Sequence, residues 1–508
     1  MPESADFVIV GGGTAGCVLA SRLTERPDVT VALLEAGPWD ARPEIAQPPA
    51  FPALFGSEVD WNLSTTAERA LGGRTVFHPR GRVVGGSSSI NAMIAMRGAP
   101  GDYDRWVAEG AVGWGFADVL PAFRRLERHR LGDTSLHGGS GPVPVTAPDS
   151  PHPWAEAFVE SALTLGHEHN TDFNGQRQLG IGFNDATKAD GRRASAATSY
   201  LHPALERPGL AVYTSSTATR VVVGGGRAVA VEYVDADGHP ARIRADREVI
   251  LCGGAFHSPQ LLMLSGIGPA DHLRDVEIAV VVDLPGVGRN LQDHPRIDLG
   301  YRVPEAIPVG ATSNYFEAGG YLHTGVDEWC TDPDVQLNLA PLTQLNPAFA
   351  ADPIGFMVLV DMNRPTSRGD LRLASADPTR SPAFTFEYLT RSHDVRTLVE
   401  GLRAAAVIGD AMAREIGAER FAPIPSMSTD AELTEYVLAM ADCEYHPVGT
   451  CRMGHGADAV VNPDLEVKGV EGLRVVDASV MPSLPSGNTY LPVLMIAERA
   501  ADIIMSEE

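Results

Sequence analysis

Three glycines, Gly11, Gly13 and Gly16, stand at the spacing that lets a backbone close around a pyrophosphate. The first allows a tight turn, the second lets the chain approach the phosphates, and the third permits close packing of a helix on a strand. The phosphates would sit at the helix N-terminus, beside Thr14 and Ala15, where free N–H groups and the helix dipole favour negative charge. Glu35 follows the next apolar run, where its carboxylate can accept hydrogen bonds from ribose hydroxyls and would repel a 2′-phosphate. These residues predict a dinucleotide ligand and do not distinguish NAD from FAD. A second group is Gly85-Gly86-Ser87-Ser88 with Asn91. Small side chains and backbone N–H groups suit it to lie against a planar ring or phosphates, and the Asn amide both donates and accepts. The chain also has 15 histidines, any of which could serve as a base near pH 7, although a lone histidine is more often structural.

The elements that must hold these residues are legible around them. Phe7-Val8-Ile9-Val10 is wholly apolar, as in a parallel strand buried on both faces. Val18, Leu19, Ala20 and Leu23 then recur at helical spacing, and Val29 to Leu34 forms a second buried strand. This predicts a strand–helix–strand unit. Residues 38 to 80 are rich in Pro and Gly and read as extended loop. Strands are expected at Leu210–Tyr213, Arg220–Val223, Ala228–Tyr233 and Glu248–Leu251, with glycine turns between them. The stretch from about 298 to 440 has no phosphate-binding glycine pattern, and a last helix is expected over Leu494–Ile504. The predicted class is α/β (α+β): a Rossmann-like cofactor domain made of residues 1–155, 196–297 and 441–508, with a sheet-based substrate domain made of 156–195 and 298–440.

Composition narrows the class. With 508 residues, 44% of them apolar and 21% charged, the chain reads as a globular protein of at least two domains. A net charge of −25 argues against nucleic acid as partner. No apolar run reaches the roughly 20 residues of a membrane span, and Met1 to Asp6 is short and acidic for a signal peptide. The five cysteines, Cys17, Cys252, Cys330, Cys443 and Cys451, show neither CxxC nor metal spacing. Reduced thiols, no metal and a cytoplasmic location are the expectations.

Longer patterns then become specific. Gly81 to Asn91, continuing to Gly98 and Asp104, resembles the first signature of the glucose-methanol-choline (GMC) oxidoreductases, and Gly254 to Gly268 resembles the second. Tyr445-His446-Pro447-Val448-Gly449-Thr450, and Val475 to Thr489, are similar to the family's C-terminal part. The resemblance runs in order along nearly the whole chain. It implies bound FAD, with cofactor contacts from Gly11, Gly13, Thr14, Ala15, Gly16, Glu35, Arg80, Val84, Gly86, Ser87, Asn91, Asp477, Ala478, Asn488 and Thr489. It also implies a backbone approach of Arg220-Val221 to the adenine. It implies His446 as the general base of alcohol oxidation and Asn488 as the group that positions the alcohol oxygen. Some members tether the flavin through a histidine directly before the Asn of the glycine-serine motif, which here is Asn91. Here that residue is Ile90, so FAD is expected to be non-covalent.

Within that resemblance the chain is most like choline-dehydrogenase-like and aryl- or furfuryl-alcohol oxidase branches. The expected partners are a small, primary or aromatic alcohol and either oxygen or a quinone-type acceptor. Two other readings stay open: a non-redox lyase of the hydroxynitrile-lyase kind, which keeps FAD and uses the same histidine, and a nucleotide-binding protein without catalysis. Glu444, next to the proposed base, would favour a cationic amino alcohol if it faced the flavin. A carboxylate turned away and hydrogen-bonded is the expectation. His78, His257, His294 and His455 are read as structural, and Arg364 to Asp370 as a turn.

Overall fold

The computed structural model describes residues 3–328, 332–343, 346–349 and 354–506; Cys330 lies outside them. Strands Ser4–Val10 and Val31–Leu34 flank helix Thr14–Leu23, as the apolar runs predict. They pair in parallel with each other, with Leu210–Tyr213 on one side and with Pro240–Leu251 on the other. Strand Leu473–Val475 returns beside residues 249–251, also in parallel. Thr217–Gly224 and Arg227–Val234 extend the sheet as antiparallel strands. Helix Thr14–Leu23 packs on Ser4–Val10 and Val31–Leu34, and the burial of these strands fits their continuous Val, Ile and Leu content.

Gly16 shows why this unit needs small residues. A Cβ there would stand 1.9 Å from the carbonyl oxygen of Gly11, so the helix could not approach the strand. At Gly13 the nearest protein atom to such a Cβ is 3.8 Å away. The helix starts at Gly13 without a side-chain cap and without an acidic residue in its first turn. Its first amides are therefore available to an anion.

A second sheet is antiparallel, in the order Glu419–Ala422, Pro295–Arg302, Gly355–Met362, Val335–Ala340, Ala318–Leu322 and Gly180–Phe183. Helix Ser392–Ile416 packs against it, with Leu398, Leu402, Ala405 and Ile408 among its buried residues. Asp394, in that helix's first turn, accepts hydrogen bonds from the backbone and hydroxyls of Thr366 and Ser367, so the Arg364–Asp370 segment is a turn tied to a helix start.

Two expectations need correction. Residues 38–80 are not simply extended: they hold the short helices Pro43–Ala46 and Pro48–Leu54 and the two-stranded pair Leu63–Ser64 with Phe77–His78. Proline at a helix start removes an N–H that has no intrahelical partner, so Pro-rich sequence is compatible with these turns. The last helix runs Tyr490–Ser506 and begins before Leu494, with Pro492 tolerated in its first turn. Among the described residues no helix is long and apolar enough to cross a membrane.

Candidate active site

One cavity of about 660 Å³ joins the glycine turn to His446. At one end it is lined by Gly11, Gly13, Thr14, Ala15 and Glu35, with Ser216 to Thr219. Its remaining walls include Arg80, Gly86, Ser87, Asn91, Asp477, Ala478, His446, Asn488 and Thr489. Three residues expected at the cofactor do not line it: Gly16, Val84 and Val221. Gly16 is used in helix packing. Val84 is buried, its N–H donating to Pro38 and its carbonyl accepting from Ser89. Val221 donates its N–H to Ser265 Oγ at 2.8 Å, and Ser216 to Thr219 line the cavity in its place.

The cavity suits a dinucleotide. Glu35 accepts the N–H of Gly12 at 2.8 Å and of Gly37 at 2.7 Å, which fixes its carboxylate at the cavity wall. Burial pushes its pKa up to about 7, against the lowering effect of those two donors. Asp477 is mostly occupied by protein: it accepts from Gly254 N–H, Ser258 Oγ–H and Ser479 N–H at 2.6–2.8 Å. It thus ties the returning strand to the start of helix Gly254–Leu264. Asn91 Oδ1 accepts from Arg193 Nη1 at 2.7 Å, leaving the amide NH₂ as its donor. Arg193, which sequence reasoning missed, also holds the carbonyls of Ser88, Asn91 and Ile45 and so braces the glycine-serine loop.

His446 owes its place to a two-stranded ribbon. Gln292 and Val448 exchange both backbone hydrogen bonds, 3.1 and 2.9 Å long, and that register sets His294 opposite His446. One step further along, Pro295 pairs with Cys443, so Glu444 and Tyr445 bulge out. Tyr445 absorbs the bulge at φ 63°, a strained conformation for a bulky residue. Its carbonyl is held by Arg80 Nη2 at 2.6 Å. The two imidazoles meet through their Nδ1 atoms at 3.0 Å, with ring planes 82° apart. His446 Nε2 lies 3.2 Å from Asn488 Nδ2. Asn488 is steadied by Gln336, whose Nε2 donates to its Oδ1 at 3.4 Å. Asp102 accepts the N–H of Ser486 at 2.6 Å and so anchors the loop that carries Asn488.

His446 is half-buried, one face opening to the cavity. Burial, with lesser effects of His294 and Arg80, holds its pKa well below the usual imidazole value. It is therefore neutral at neutral pH. Glu444 Oε1 pairs with Arg296 Nη1 at 2.9 Å, and Arg296 also reaches Asp298 at 2.9 Å and Asp442 at 3.4 Å. The carboxylate is thus satisfied by protein, as expected, but it is not turned away: Glu444 and Arg296 both line the cavity. Phe51, Phe55, Phe316 and Tyr445 line the cavity, with the Phe55 and Tyr445 rings 5.7 Å apart.

The remaining histidines divide. His78 is buried beside Asp293, Tyr388 and Cys443, and His455 is exposed. His257 lines the cavity and packs on Trp61 at 4.2 Å. His294 was read as structural, yet it touches the proposed base directly. Its partner lies some 150 positions away, and only the strand pairing could have revealed the contact. Among the described residues the cysteines Cys17, Cys252, Cys443 and Cys451 are free and buried.

A cavity that joins the glycine turn to a neutral imidazole and an amide fits a dinucleotide-dependent oxidoreductase. Residues 5–296 and 365–497 match the two parts of the GMC oxidoreductase family. The chain is 41% identical to mitochondrial choline dehydrogenase of Mus musculus, over 98% of this chain and 89% of the relative. It is 38% identical to alcohol dehydrogenase [acceptor] of Pseudomonas putida, over 98% and 95%. The crystal structure of pyridoxine 4-oxidase from Mesorbium loti superposes with a TM-score of 0.94 at 35% identity, covering 99% of this chain and 100% of that one. The chain belongs to the GMC oxidoreductase family and is an FAD-dependent oxidoreductase that acts on the CH–OH group of a small-molecule alcohol.

Proposed function

We propose that the chain oxidises a primary alcohol to the aldehyde, with His446 Nε2 taking the hydroxyl proton and Asn488 Nδ2–H hydrogen-bonding the alcohol oxygen. The observation that carries this reading is the 3.2 Å approach of these two nitrogens in the cavity that also holds Glu35 and the glycine turn. When bound, FAD supplies the acceptor for the carbinol hydrogen and its two electrons. The hydroxyl proton then rests on His446, while the Asn488 donor favours the oxygen as negative charge develops on it. Phe51, Phe55, Phe316 and Tyr445 support an aromatic alcohol, and the Arg296–Glu444 pair supports a neutral one.

FAD is held without a covalent bond, since Ile90 has no nucleophile. The parallel-sheet body, the expected 1–155, 196–297 and 441–508 less the strand residues 295–297 and 442–443, serves the cofactor. The antiparallel-sheet body, 156–195 and 298–440 together with those strand residues, serves the substrate. Oxygen or a quinone-type carrier reoxidises the flavin, and the buried free thiols support a reducing, cytoplasmic compartment.

The test is the absorption spectrum of purified protein across a panel of primary alcohols without oxygen. A flavin band near about 450 nm that bleaches with aromatic alcohols is expected. A colourless protein that takes up no FAD, or a band no alcohol bleaches, would remove the reading. Release of the whole flavin on denaturation tests the non-covalent attachment.

A further inference from the structure

We propose that His294 is a positioning residue that sets the tautomer of His446, placing the lone pair of the base on Nε2, where the alcohol must deliver its proton. This inference rests on the reading of His446 as the base.

The argument is an inventory of donors and acceptors along one line of contacts. Gln336 Nε2–H donates to Asn488 Oδ1 at 3.4 Å, which turns the NH₂ of that amide toward His446. An NH₂ group 3.2 Å from His446 Nε2 needs an acceptor, so Nε2 bears the lone pair. A neutral imidazole then carries its proton on Nδ1. That nitrogen faces His294 Nδ1 at 3.0 Å, and a pair of facing nitrogens needs one donor and one acceptor. His446 Nδ1–H therefore donates and His294 Nδ1 accepts. His294 carries its own proton on Nε2, which is buried near the backbone of Asn363 and Pro485 without a well-formed hydrogen bond.

The reverse arrangement fails on the same count. Were His294 the donor, His446 would hold its proton on Nε2. That proton would confront the Asn488 N–H and block acceptance from the alcohol. Burial leaves His294 1% exposed and brings its pKa down to about 4. It is thus a neutral acceptor at neutral pH. Asp293 fixes both partners, its Oδ1 accepting the N–H of His294 at 2.9 Å and of His446 at 2.6 Å.

The experiment compares FAD-loaded wild type with His294→Leu, His294→Asn and His446→Gln, using the alcohol that bleaches the wild-type flavin fastest. Leucine removes the acceptor; asparagine can return a carbonyl oxygen where Nδ1 stood. His294→Leu should lower kcat about 100-fold, the low end for a positioned base, with KM within about threefold and flavin content unchanged. His294→Asn should recover to within about tenfold of wild type. Magnetic resonance of nitrogen-labelled histidine, assigned by loss of signal in His446→Gln, should show the wild-type His446 proton on Nδ1 and a tautomer mixture in His294→Leu.

Turnover of His294→Leu within about twofold of wild type, while His446→Gln is inactive, overturns this inference and leaves the base in place. Equal impairment of the Leu and Asn variants reduces His294 to packing and also overturns it. Full turnover by His446→Gln instead removes the base reading itself. Should the leucine variant not fold, a wild-type signal with the proton on Nε2 is sufficient to reject the proposal.

Discussion

Asp293 Oδ1 accepts the backbone N–H of His446 at 2.6 Å, so a buried carboxyl fixes the peptide from which the imidazole hangs. The backbone is held independently of the side chain. Replacing His446 by Gln should therefore leave the fold and the flavin band intact while lowering kcat by roughly 10²–10⁴, the range for loss of a general base. Anaerobic stopped-flow reduction of the flavin measures this, and a loss under tenfold would contradict it.

The pH profile follows from the same burial. The base must be unprotonated, and burial, His294 and Arg80 lower its pKa below 6.5. As pH falls, the active fraction is kept through pH 6.5 and is lost only where pH passes the depressed value. The acid limb of kcat/KM should therefore lie below that of a free imidazole. A limb centred at or above 6.5 would show that His446 does not titrate as the base.

Glu444 lines the cavity but is paired with Arg296 at 2.9 Å, which offsets its charge toward a cationic substrate. Glu444→Gln should change apparent affinity for amine-bearing and neutral alcohols by the same factor, within about threefold. A selective loss of affinity for the amine-bearing alcohols, measured as KM ratios, would mean that the carboxylate reaches the substrate.

Gly13 and Gly16 should separate ligand from fold. A Cβ at Gly13 meets no protein atom within 3.4 Å, whereas one at Gly16 stands 1.9 Å from Gly11 O. Gly13→Val should fold, with unchanged circular dichroism, and bind FAD at least about tenfold more weakly because the branch enters the phosphate path. Gly16→Ala should destabilise the protein itself, by about 1–3 kcal/mol or more, seen as a lower Tm.

Much of this site was legible in the chain because its parts are local. The glycine turn, Glu35 and the flanking apolar strands are short-range features whose spacing states their geometry. His446 and Asn488 were reachable only through long patterns around them. What stayed hidden depends on pairing between distant strands. His294 meets His446 because Gln292 pairs with Val448, and nothing near either residue encodes that register. Arg193 reaches Asn91 across a hundred positions for the same reason. Phe51 and Phe55 lie in a Pro-rich stretch that reads as loop, although its prolines open helical turns that turn these rings toward the cavity.

The strand Leu473–Val475 docks against Pro240–Leu251, and Arg22 pairs with Glu498 at 2.8 Å, joining the first helix to the last. One sheet and one helix pair are therefore closed by segments from far apart in the sequence. A chain cut before residue 441 would own the phosphate turn but neither His446 nor Asn488, and it would lack the strand and helix that seal the first sheet. Losing the reacting groups and losing the closure of that sheet would thus be a single event.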